Sequence, residues 1–164
     1  MALWHLHRDD PHPEKNTVRG FLTFLGDGPP VVLQTVENLQ RRIVTGTYQC
    51  VRDFWHGGQL VTFEIIWPWD EDGDGQPDRD RLLFHPANAV RNRGGELSLL
   101  GCVAPGLERV DDVWETFPGQ DPHELARQLP GVSSSRTAFK SFMEATGELD
   151  SFELEITELT PGAG

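Results

Sequence analysis

Residues 2–8 alternate, with Ala2, Trp4 and Leu6 on one side and Leu3, His5 and His7 on the other. A period of two is the signature of a half-buried strand. Two further apolar runs, within residues 17–38, flank Gly26, Asp27, Gly28, Pro29 and Pro30, which predicts a hairpin with a moderately long loop. Residues 46–55 and 59–69 flank His56, Gly57 and Gly58 in the same way and predict a second hairpin. Short apolar runs follow at residues 81–85 and 96–103. The pattern then changes. Residues 121–129 read as a short helix that opens on Asp121 and stops before Pro130. A longer helix is predicted from a Ser134 or Ser135 cap to Gly147, with Phe139, Phe142 and Met143 in a core-facing stripe. Residues 151–160 alternate again and return to the sheet, with Phe152, Leu154, Ile156 and Leu159 inward.

This order predicts a mainly β (α+β) chain: a compact antiparallel meander or small barrel-like β-domain, with one or two helices in the C-terminal third. At 164 residues it is one β-rich domain over residues 1–160, with a loose tail at residues 161–164. The 17 glycines and 12 prolines suit a turn-rich β architecture. A net charge of −12 without a basic stripe excludes a nucleic-acid partner. The N-terminus has neither a basic nor an apolar signal region, and no run reaches the ~18 apolar residues of a membrane span. Cys50 and Cys102 are too few for a disulfide framework and are expected as free thiols. His5 and His7 share a strand face, with His12 nearby; solvent-facing or edge-strand histidines are expected there, rather than a metal site.

Asp70, Asp72, Asp74, Gly75 and Asp78 form the pattern D-x-D-x-D-G-x-x-D. Calcium takes six to eight oxygen ligands, and carboxylates at alternate positions of a tight loop converge on one point. Gln76 offers its backbone carbonyl at the seventh position. Without a cation these carboxylates repel one another, which is the physical case for bound Ca²⁺. The twelfth position is Arg81 and the flanks look like strands, so the loop resembles the shorter calcium loops of dockerin and thrombospondin-type repeats rather than an EF-hand. Loops of that extracellular kind bind at about 10⁻⁴ to 10⁻³ M.

A second constellation lies just beyond it. His85 ends one apolar run, Cys102 follows Gly101 on the next, and Asn88 sits between them. A thiol nucleophile needs a base beside it, and Asn88 can orient a ring nitrogen or a bound carbonyl. These three are the candidate catalytic residues, with buried-thiol packing and a turn histidine as the structural reading of the same positions.

Glu37, Asn38, Gly46, Thr47, Tyr48, His85, Asn88, Gly101, Cys102, Ala104, Pro105 and Gly106 together resemble the motifs of a small family of unknown function found in phages and phage-like elements. The match covers residues 17–106. The Cys102/His85 layout also resembles the L,D-transpeptidase active site, although Leu100 and Ala104 stand where that pattern carries a His and an Arg. The first resemblance implies a component of a phage particle or phage-derived tail or injection apparatus, with other proteins of that apparatus as partners. It would reside in the virion, or in host cytoplasm before release. The second implies a cysteine enzyme acting on peptidoglycan peptides. A calcium-dependent binding module for a host surface ligand, using Trp67 and Trp69, is the third reading.

Overall fold

The computed structural model describes residues 3–55, 59–66, 73–74, 82–90, 99, 101–115 and 127–159. The alternating segments form β1 (Leu3–His12), β2 (Thr17–Phe24), β3 (Val31–Asn38), β4 (Gly46–Trp55) and β5 (Leu60–Ile65). Later come β6 (Ala104–Gly106), β7 (Glu108–Glu115), β8 (Arg127–Ser133), helix α1 (Ser135–Thr146) and β9 (Ser151–Glu158). Seven strands make one curled sheet in the order β5-β4-β9-β1-β2-β3-β6, and β7 and β8 form a separate hairpin. The mainly β class with a helix in the C-terminal third is therefore as expected, and the barrel-like alternative describes it better than the meander. β9 inserts between β1 and β4 and runs parallel to β1, so the sheet is not wholly antiparallel.

The two outer strands of this sheet are stitched together. Leu83 bridges Glu64 of β5 in the antiparallel sense, and Phe84 bridges Val103, which leads into β6, in the parallel sense. Backbone bonds from Ile65 to Leu82 (2.7 Å), Phe84 to Phe63 (3.2 Å), His85 to Val103 (3.1 Å) and Val103 to Leu83 (3.1 Å) make the join. Residues 82–85 thus act as a short closing stave, satisfying backbone groups of β5 that an open edge would leave unpaired.

Inside the curl, Trp4, Leu6, Leu22, Leu33, Cys50, Phe63, Phe84, Phe152, Leu154 and Ile156 are buried against Ala138, Phe139 and Phe142 of α1. The helical stripe expected from Phe139, Phe142 and Met143 is this core face, with Met143 at its margin. Leu159, expected inward, is 54% exposed because β9 ends at Glu158.

The interior also holds an ion pair. Arg8 follows Trp4 and Leu6 at the inward positions of β1, and its Nε and Nη2 donate to Glu37 Oε2 and Oε1 at 2.9 and 2.8 Å. Both side chains are fully buried. Arg8 Nη1 also donates to the Ile43 carbonyl at 2.7 Å, so the guanidinium ties β1 and β3 to the chain leading into β4.

A second apolar cluster, Val36, Val90, Leu99, Ala104 and Val132, lies under the β7–β8 hairpin. The helix expected at residues 121–129 is contradicted at its end: residues 127–129 belong to β8, and residues 121–126 lie outside the described residues. Pro130 is accommodated within the strand because the register shifts between Val110 and Val113, so that two residues of β7 stand against one of β8. A bulge removes the ladder bond that proline cannot donate. Arg19 and Arg109 pin the hairpin to the sheet through Asp111 and Asp9.

Candidate functional site

The closing stave positions the three candidate side chains. With Phe84 and Val103 paired and both facing the core, strand alternation puts Leu83, His85 and Cys102 on the outer face. His85 and Cys102 are diagonal neighbours across that parallel bridge. The spacing in sequence is large, and the fold brings the two to one face of one bridge.

His85 is only 4% exposed, and its ring stacks on Trp55 with centroids 4.8 Å apart and planes at 23°. Its Nδ1 lies 3.2 Å from the Pro86 carbonyl. A carbonyl only accepts, so Nδ1 carries the proton and Nε2 is the atom with a lone pair in the neutral ring.

Cys102 packs against the second apolar cluster. Its Sγ accepts from the Leu83 amide at 3.4 Å. Burial pushes the thiol above its ordinary value, and the Leu83 amide offsets this only in part. A cysteine nucleophile is made by the opposite shift, through a nearby cation or helix N-terminus. Cys50 is also a free thiol, buried within the main core and pushed upward by burial still more strongly.

Asn88 faces the helix. Its Oδ1 accepts from the Ser135 amide at 3.3 Å, and its carbonyl accepts from the Val132 amide at 2.8 Å. A Cβ on Gly131 would lie 2.1 Å from that carbonyl, so only glycine permits the approach. Ser134 and Ser135, the expected caps, make no side-chain cap bond; Ser134 instead adopts a left-handed conformation with φ 52. The Ser135 hydroxyl donates to the Pro105 carbonyl at 2.6 Å and accepts from the Ala87 amide at 2.9 Å. Asn88 therefore caps α1 from 47 residues away, a role the local sequence around Ser134 does not reveal.

The other motif residues also serve the scaffold. Glu37 holds Arg8, Asn38 Oδ1 accepts from the amides of Gln40 and Arg41 at 3.1 and 3.2 Å, and Tyr48 donates to the Val44 carbonyl at 2.7 Å. The role of Arg8 was missed by motif reading. The signal was its place at the inward position of an alternating strand.

Of the proposed calcium ligands, Asp74 is exposed, while Asp70, Asp72, Gln76 and Asp78 lie outside the described residues, as do Trp67 and Trp69. Among the described residues, no group of three His, Cys, Asp or Glu side chains is arranged to hold a metal ion. No helix among them is long and apolar enough to cross a membrane. In comparisons with known proteins the chain matches no family model, no curated protein and no solved structure.

Proposed function

We propose that the chain is a component of a phage particle, or of a phage-derived tail or injection apparatus, serving as a calcium-stabilised β-domain without catalytic chemistry of its own. The observation that carries the non-catalytic part is the set of contacts at the three candidate residues. His85 stacks on Trp55, Asn88 caps α1, and Cys102 packs in an apolar cluster with its thiol pushed upward. The motif segment is then a closing stave, and a fold that must survive outside a cell benefits from having its sheet closed.

The Asp-rich segment lies in the chain that connects β5 to this stave. A cation that orders the connection reduces the entropy lost when the two ends pair, which links the ion to closure. Charge balance in the segment favours Ca²⁺, and an extracellular particle meets the concentrations such loops require. The partners on this reading are other proteins of the particle.

The alternative, a cysteine enzyme acting on peptidoglycan peptides, rests on His85 and Cys102 sharing one face of the bridge. The upward shift of the thiol counts against it.

Particles purified on a density gradient from a calcium-containing lysate test the proposal. The chain is expected to co-sediment with the particles, and the purified protein to melt at a higher temperature in millimolar calcium than in chelator. A chain confined to the soluble fraction would remove the particle assignment, and an unchanged melting temperature would remove the calcium.

A further inference from the structure

β1 presents two histidines on the outer face of the sheet, and both turn toward one atom. His5 Nε2 and His7 Nδ1 each lie 2.8 Å from Thr157 Oγ1 on the neighbouring β9. The parallel register sets His7 opposite Thr157 and His5 opposite Glu155. Glu155 is exposed, and Glu153 is the preceding outward residue of β9. Around them, β4 places Thr47 opposite Glu155 and Gln49 opposite Glu153. On the other side, β2 places Thr23 opposite His5 and Phe21 opposite His7. None of these register positions carries a Lys or Arg. Two imidazoles therefore stand beside two carboxylates, and Arg109, which lies over the Phe21 ring on this side, has its charge offset by Asp9.

We propose that His5 Nε2 and His7 Nδ1 chelate a divalent transition-metal cation of the Cu²⁺, Ni²⁺ or Zn²⁺ class. The pair already converges on a common point, as ligands of one ion must. That point is now held by the Thr157 hydroxyl, which turns away about its side-chain torsion to admit the ion, and the rings then close to metal–imidazole bonds of about 2.0–2.1 Å. Thr157 has a single hydroxyl proton, so it donates to only one ring and accepts from the N–H of the other. The donating ring shifts its proton to its other nitrogen when the metal enters. Glu155 joins as a third ligand by rotation of its exposed side chain, and water fills the remaining positions. Nitrogen donors select these metals over calcium, so the site is chemically distinct from the Asp-rich loop.

Protein without a polyhistidine tag, titrated with each metal by calorimetry and followed by imidazole NMR, tests this. One saturable step per chain is expected, tightest for Cu²⁺. The ring signals of His5 and His7 shift or broaden while that of His12 does not. His5→Ala and His7→Ala each lose the step, and His12→Ala retains it. The absence of a saturable step in the wild type would overturn the proposal. So would a step that survives either substitution, or ring signals of His5 and His7 that metal leaves unmoved. The wild-type NMR arm stands even if a variant folds poorly.

Discussion

Phe142→Ala is expected to lower the unfolding free energy by about 3–5 kcal/mol. The Phe142 ring is where the helix meets the curled sheet: centroids lie 4.6 Å from Phe84, 5.0 Å from Trp4, 6.0 Å from Phe152 and 6.1 Å from Phe63. These partners come from the closing stave, β1, β9 and β5, so truncation opens a cavity that no single element can collapse to fill. For a domain whose whole stability is about 5–15 kcal/mol, the loss removes a large part of it. Urea denaturation reads the effect as a lower midpoint. Phe142→Leu keeps most of the volume and is expected to cost less than half as much. Equal costs for Ala and Leu would mean that the ring does not pack as described.

The second large effect is at the buried ion pair. Glu37→Gln preserves shape but leaves the Arg8 guanidinium buried beside a neutral amide, and breaking such a pair costs about 3–5 kcal/mol. Glu158, 3.6 Å from Arg8 and 31% exposed, is the remaining counter-charge, so the cost is expected in the lower half of that range. Replacing both partners, with Arg8→Met and Glu37→Leu together, removes the charges as well as their bonds. Buried pairs exchanged for apolar groups of similar volume are often no less stable. The double variant is therefore expected to recover most of the loss in the same urea titration. A double variant as unstable as the single one would show that the Arg8 bond to the Ile43 carbonyl matters more than the charge pairing.

Local alternation made most of the sheet legible. Trp4 and Leu6, Phe152 and Leu154, and the runs around residues 20–24 and 60–65 all announce a strand by period alone. The helix was equally plain from Phe139 and Phe142 and from Gly147, whose amide bonds back to Met143 and Glu144. The β7–β8 hairpin was not. Residues 121–129 carry a helical pattern and Pro130 looks like a stop, whereas a bulge in the opposite strand lets Pro130 sit inside β8. Parallel pairing of β9 with β1 was also invisible, because it joins segments at opposite ends of the chain and no turn fixes its register.

The same division holds at the candidate site. His85, Asn88 and Cys102 could be selected from the sequence, and their closeness to one bridge follows from the fold. What the sequence could not convey is the direction each side chain takes. The cap that Asn88 supplies depends on Ser135, and the environment of Cys102 depends on Val36 and Val132. Those partners are set by tertiary packing, which overrides the local motif.

The most direct test of the account is the pH dependence of Cys102 alkylation by iodoacetamide, read peptide by peptide so that Cys50 is scored separately. A thiol held above its ordinary 9.0 by burial alkylates slowly at neutral pH, and its rate still climbs as pH passes that value. That is the result expected of a closing stave. A fast rate that reaches its plateau near neutrality would reveal a stabilised thiolate and contradict the account, assigning the His85–Cys102 face to chemistry instead.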